Sequence, residues 1–360
     1  MNSRVQLEVD LDGLAYNLRT IRAHVAPCRI MAVLKANAYG LDTARIAPVV
    51  REQGAELFAA ATVGEALELS RYGLPVQILG NLLPDEIAPA VEHGIICPLN
   101  GLESARSISA EAVRQKKQVS CALTIDSGMG RLGMIAGKAL EEIRAIRQLP
   151  NLNIGGIYSH FSSASDPEDE YSELQISRFR ELLDTLQRDG MSFDKIHMAA
   201  SDGLNNFSGS VNAPFTHVRC GINMYGYYAP KLALKEIVTF KTRIAAVRRM
   251  SAGSPVGYNR THYLKKDTLV AVAAIGYADG VPLALSNRGH FLIHGIPCPI
   301  LGRISMDYTV VSLENVSDAV PGDEVVCFGR QGRGFISAKE WADLAGTHIY
   351  DILCAVTPRR

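Results

Sequence analysis

The residue with the clearest chemical potential is Lys35, which follows the apolar run Ile30-Met-Ala-Val-Leu34. An ammonium carried to the end of a buried strand needs a partner or a lowered pKa. A lowered pKa is also what an amine needs to condense with an aldehyde as a Schiff base. The plain alternative is a lysine that snorkels into solvent, and it weakens as other polar residues fall at matching places. Arg131 sits within Gly128-Met-Gly-Arg-Leu-Gly133, His160 and Ser201 close further apolar runs, and Arg219 stands just before Gly221 and Ile222. Ser201 and the Gly221–Ile222 turn occupy places where backbone N–H groups can receive a phosphate. Tyr39, one short step past Lys35, can add a phenolic hydroxyl to the same group.

These side chains meet only if the chain brings them to one rim. Up to about residue 228, short β-rich runs alternate with longer amphipathic segments, the pattern of βα units on a parallel sheet. Strands are expected over 29–36, 57–62, 76–80, 95–98, 118–126, 153–161, 195–201 and 216–219. Eight such runs predict a (β/α)8 TIM-type barrel, whose functional groups gather at the C-terminal ends of the strands. Lys35 then ends the first strand, Arg131 follows the fifth, His160 ends the sixth and Ser201 the seventh. Arg219, Gly221 and Ile222 follow the eighth. Beyond residue 228 strand-like runs separated by Gly, Pro, Asn and Asp predict a mostly β C-terminal domain. The expected domains are 8–228 and 229–360, with residues 1–7 able to join the second domain's sheet. The one clear helix of that domain follows Ser337, where Ser-Ala-Lys-Glu340 reads as a capping box.

Composition narrows the partner. Lys plus Arg and Asp plus Glu balance at 37 each, without a block of like charge to grip nucleic acid or anionic lipid. Early acids at Glu8, Asp10 and Asp12 break the pattern of a signal peptide, and no apolar run is long enough to span a bilayer. A cytoplasmic protein with a small-molecule partner is expected. The cysteines lie far apart and are odd in number, which argues against disulfides and zinc. His290 and His294 have no further ligand nearby to complete a metal site. The run Gly128-x-Gly130-x-x-Gly133 matches a dinucleotide fingerprint, but no acid closes the next strand near 151–158 to hold a ribose. A charged Arg131 inside the loop suits recognition of a carboxylate or phenolate instead.

Seven segments in order, AVLKANAYG, IDSGMGRLG, YSHFSS, HVRCGINMYG, PVGYNRTHY, AIGYADG and GRISMD, resemble the signature segments of the alanine racemase family over nearly the whole chain. The resemblance implies pyridoxal 5'-phosphate as cofactor, an amino acid as substrate, and a homodimer whose two active sites are each built from both chains. It implies that Lys35 carries the cofactor and moves the substrate proton on one face, while Tyr258 of the partner subunit works on the other. It further implies His160 against the cofactor ring, bridging Arg219 to Tyr258, and Arg219 facing the pyridine nitrogen. Arg131 and Met306 contact the substrate, Tyr39, Ser201, Gly221, Ile222 and Tyr350 hold the cofactor, and Tyr277 with Tyr350 narrows the entrance. The expected reaction interconverts L- and D-alanine for, or from, peptidoglycan. Alternatives are the same chemistry on serine or larger amino acids, a non-catalytic cofactor carrier and a fold-related decarboxylase. The carrier lacks a β domain to deliver Tyr258, and the decarboxylases place an acid where Arg219 stands.

Several positions depart from the family pattern. Leu41 and Asp42 replace His-Gly, Ala200 replaces Asn, Ser305 replaces Cys, and Leu283 stands where an arginine of the entrance is common. Thr124 takes the place of a lysine whose carbamylated form holds the arginine at position 131. An unpaired guanidinium in a partly desolvated pocket is unfavourable, so either Asp126 or a bound anion such as chloride is expected to replace the charge, the anion preferentially.

Overall fold

Eight parallel strands organise the N-terminal part of the chain in the computed structural model, which describes residues 4–228 and 230–356. They are β1 (Arg29–Val33), β2 (Leu57–Ala60), β3 (Val76–Ile78), β4 (Cys97–Leu99), β5 (Val119–Asp126), β6 (Leu152–Tyr158), β7 (Lys195–His197) and β8 (His217–Cys220). Their order around the sheet is β3-β2-β1-β8-β7-β6-β5-β4. Ile96 closes the ring onto β3, its N–H donating to the Val76 carbonyl at 2.9 Å while its own carbonyl accepts from Ile78 at 3.1 Å. Continuous apolar runs such as Leu57–Ala60 are buried along their whole length, as strands covered on both faces must be. Between strands lie helices such as Thr43–Glu52, Val63–Ser70, Leu102–Arg114, Ala139–Arg147 and Glu170–Arg188. In Glu170–Arg188 the buried set Ile176, Phe179, Leu182, Leu183 and Leu186 forms one helical face.

The strands are shorter than the apolar runs suggest, and this moves several polar residues. Lys35, His160 and Ser201 lie beyond Val33, Tyr158 and His197, in the turns rather than at strand ends, whereas Arg219 lies inside β8 rather than after it. The N-terminal part from Asp12 to Lys235, apart from Tyr39–Leu41, forms one unit. The other unit takes the segment ending at Leu11, Tyr39–Leu41 and the chain from Glu236 onward.

That second unit is an antiparallel sheet centred on the long strand Val238–Met250. Gln6–Val9 pairs with it antiparallel, as do Glu324–Gln331 and Thr268–Ala273. Its core is aromatic: Trp341 lies edge-on to Phe328 at 5.1 Å between centroids and also packs against Phe240 and Phe291. Each such pair contributes about 0.5–1.5 kcal/mol beyond the burial itself. Two helices cross this unit, Ala338–Ala345 and Ile349–Ala355, the second too short for its periodicity to be read from sequence. The capping box expected at Ser337 does not form. Ser337 accepts from the Lys339 N–H and donates to Glu236, while Glu340 pairs with His290 at 3.4 Å.

Candidate active site

Lys35 opens an unusual turn. Ala36, Asn37, Ala38 and Tyr39 all take left-handed backbone angles, with φ between 52 and 59°, and Gly40 follows at φ 83°. A run of left-handed non-glycine residues is disfavoured by about 1–2 kcal/mol per residue, so its neighbours must hold it. The Glu65 carboxylate accepts the Ala36 N–H at 2.7 Å and, through its other oxygen, the Ala61 N–H at 2.9 Å. The Asn37 side chain accepts from the Thr43 N–H at 2.8 Å. Glu65 also completes a capping box with Thr62 at the start of Val63–Ser70, so one acid fixes both the helix and the lysine turn. Lys35 is exposed, not desolvated as its apolar lead-in suggests, because the strand ends two residues earlier and the chain turns outward.

Arg219 is buried, and its guanidinium makes four hydrogen bonds to the barrel. It donates to His197 Nδ1 at 2.6 Å, to His160 Nδ1 at 2.9 Å, and to the carbonyls of Ser159 at 2.9 Å and Met198 at 2.7 Å. A guanidinium can only donate, so both histidines accept at Nδ1 and carry their proton on Nε2. Burial lowers the Arg219 pKa to about 10, with Arg131 adding to the effect, which leaves it charged near neutrality. Burial, then the charges of Arg219, Arg131 and Lys35, depress His160 to about 3. His160 is therefore a neutral N–H donor. His197 was not singled out from sequence. It stacks on Tyr158 with ring centroids 5.0 Å apart and accepts from Arg219 at Nδ1. A histidine pointing into a barrel from an otherwise apolar strand was the available signal.

Ser201 and Gly221 meet through an intermediary, Asn223. Asn223, fully buried, accepts from the Gly221 N–H at 3.1 Å and from the Ser201 hydroxyl at 3.0 Å. Its own NH2 is buried and has no hydrogen-bond partner among the described residues. Gly221 thus commits its N–H to Asn223, whereas Ile222 opens the 3-10 turn Ile222–Tyr225 and has no acceptor within it.

Arg131 makes no hydrogen bond or ion pair among the described residues. Asp126 does not compensate it: its carboxylate accepts the N–H groups of Gly128 at 2.8 Å and Gly130 at 2.9 Å. Thr124 donates to the Tyr158 hydroxyl at 2.9 Å, which in turn donates to the Leu79 carbonyl at 3.2 Å. Burial pushes the Tyr158 phenol up to about 12, so it stays protonated. Thr124, Arg131, Tyr158 and His160 line one cleft.

In the second unit, Tyr258 is 68% exposed, Met306 50% and Tyr277 42%. Their loops are tied together: Gly257 bridges to Arg303, the Tyr277 N–H donates to Ser305, and the Ala278 N–H donates to Met306. A Cβ at Gly257, where φ is 72°, would come within 3.0 Å of the Arg303 backbone, so the close approach requires glycine. Tyr39 and Tyr350 lie ring to ring with centroids 5.8 Å apart.

A parallel barrel whose mouth carries an amine and two guanidinium groups, followed by an antiparallel β domain, is a two-domain barrel architecture. Residues 9–229 match the family model for the alanine racemase N-terminal domain and residues 237–360 that for the C-terminal domain. The alanine racemase of Desulfosudis oleivorans is 36% identical over 98% of this chain and 94% of its own. That of Carboxydothermus hydrogenoformans is 36% identical over 99% and 98%. Among solved structures, the alanine racemase of Streptomyces lavendulae superposes with a TM-score of 0.92 at 31% identity, covering 99% of this chain and 95% of that one. An alanine racemase of Bartonella henselae with covalently bound pyridoxal phosphate gives 0.88 at 27%, covering 99% and 98%. The chain belongs to the alanine racemase family, a family of isomerases.

The residues present fit pyridoxal phosphate. Lys35, Arg131 and Arg219 all act electrostatically on His160, and Arg131 and Arg219 form no ion pair among the described residues. The buried Ser201 hydroxyl and the orphaned Asn223 amide lie together in the barrel unit.

Proposed function

We propose that this chain interconverts L- and D-alanine with pyridoxal 5'-phosphate, as a homodimer whose sites draw residues from both copies. Lys35 would carry the cofactor through its amine, Arg219 would face the ring nitrogen, and Ser201, the Ile222 N–H, Tyr39 and Tyr350 would hold the phosphate, with Gly221 keeping the turn in register. When bound, the cofactor supplies an electron sink for the charge left at the substrate α-carbon. Arg219 stays charged and can only donate, so it leaves the ring nitrogen unprotonated and limits that sink, which favours proton return over transamination.

Arg131 would bind the substrate carboxylate, helped by Met306 of the partner subunit. Lys35 Nζ would take or return the α-proton on one face, acting on the D-enantiomer. The phenol oxygen of Tyr258 of the partner subunit would do so on the other face, acting on the L-enantiomer. Inversion requires a base on each side. The neutral His160 Nε2–H would donate to the Tyr258 oxygen and orient it. Tyr277 and Tyr350 would narrow the entrance.

The observation that carries this reading is the Arg219 guanidinium, locked by four hydrogen bonds, one of them to the His160 ring, which also feels the charges of Arg131 and Lys35. The test is incubation of the cofactor-loaded protein with each common L-amino acid, followed by chiral separation. D-alanine is the expected main product. Faster turnover of serine or a larger residue would move the assignment to a broader racemase, a reading favoured by the aliphatic Leu283 exposed in its turn. No product from any amino acid would contradict it.

A further inference from the structure

The helix Glu170–Arg188 carries a polar stripe at Tyr171, Gln175 and Arg178, the i, i+4, i+7 spacing of one face. Each of these three residues reaches a loop at the barrel mouth rather than solvent alone. The Tyr171 hydroxyl donates to the Gly128 carbonyl at 3.0 Å, and Arg178 donates to the Ser127 carbonyl at 3.3 Å. The Arg178 guanidinium also lies 5.7 Å from the Tyr171 ring centroid, which braces the pair. Gln175, fully buried, donates to the His160 carbonyl at 3.1 Å and accepts from the Ser162 N–H at 3.0 Å and its hydroxyl at 3.1 Å.

The loop clamped by the first two residues needs restraint. It holds Gly128, Gly130 and Gly133, all at positive φ, and glycine-rich backbone of this kind has wide conformational freedom. Asp126 holds its N–H groups from one side, and Tyr171 with Arg178 holds its carbonyls from the other. A Cβ at Gly128 would collide with the Tyr171 hydroxyl, so only glycine fits there while the tyrosine holds its place. The Arg131 side chain has no partner of its own among the described residues, which leaves the backbone clamp to set where its guanidinium stands.

We propose that this helix face is a splint in which Tyr171 and Arg178 position Arg131, and Gln175 separately positions His160. None of the three touches a reacting atom; they are positioning residues. The inference rests on the reading of Arg131 as the carboxylate-binding group. One hydrogen bond of this kind changes an equilibrium by roughly two- to tenfold.

The test compares cofactor-loaded wild type with Tyr171→Phe and Gln175→Glu, the latter keeping the acceptor for Ser162 while losing the donor to His160. Tyr171→Phe is expected to raise KM for alanine by about fivefold, with kcat changed less than about twofold. It should weaken binding of acetate, a bare carboxylate probe, by a similar factor, and speed amide exchange over residues 127–133. Gln175→Glu is expected to leave KM and acetate binding alone and to lower kcat with a shifted pH profile. Unchanged acetate affinity and unchanged exchange in Tyr171→Phe would overturn the proposal, as would equal effects of both variants on KM and kcat. A wild type that racemises nothing would sink the reading of the site, while the acetate and exchange measurements would still decide the clamp.

Discussion

At the scale of single residues, the site is governed by which groups are kept neutral and which are kept charged. His197 is the sharpest case, because it is completely buried, stacked on Tyr158 and bonded to Arg219, and its pKa lies well below the usual 6.5, first through desolvation and then through Arg219. The unfolded chain binds a proton here below about pH 6.5 and the folded chain does not, so stability falls on acidification. Urea midpoints at pH 7 and pH 5, at fixed protein concentration, should therefore show a steeper decline for wild type than for His197→Asn. Equal declines would mean that His197 is protonated inside the barrel. The roles of such residues were unevenly legible in the sequence. Lys35 and Arg219 stand out because charge interrupts apolar runs, and Arg131 because a charge sits inside a glycine-rich loop. Asn223 and His197 were hidden because they act on other protein groups, and a contact partner far along the chain leaves no local pattern.

At the scale of elements, strand positions read well and strand ends did not. All eight barrel strands fall where apolar runs predict them, yet β1, β6 and β7 stop two to four residues before the polar residues assigned to their tips. Hydrophobicity reports burial, and the turns at the mouth are buried too. The left-handed turn after Lys35 was invisible for another reason: Ala36 and Ala38 have no preference for that conformation, which comes from Glu65 and Asn37 outside and within the turn. Glu65→Ala removes the acceptor for the N–H groups of Ala36, Ala61 and Thr62. It should lower stability by about 1–3 kcal/mol and reduce kcat more than a remote variant of equal stability loss, because the turn that aims Lys35 relaxes. Urea unfolding and steady-state kinetics on the same preparations check both. A variant that loses stability but keeps kcat would show that the turn holds its shape without Glu65.

At the scale of the whole molecule, the proposed reaction divides its two bases between the units of the fold: Lys35 in the barrel and Tyr258 on an exposed loop of the β domain. Tyr258, Tyr277 and Met306 form an exposed apolar group on loops that are hydrogen-bonded to one another, and such patches mark docking surfaces. A symmetric dimer would let each copy's loops complete the other's mouth. Subunit mixing tests this account most directly. Lys35→Ala and Tyr258→Phe chains, each without activity alone, are combined, subunit exchange is verified, and conversion of L- to D-alanine is measured. Random pairing puts half the dimers in mixed form with one intact site each, so about a quarter of wild-type activity should return. No recovery after complete exchange would contradict a racemase whose two bases come from different chains.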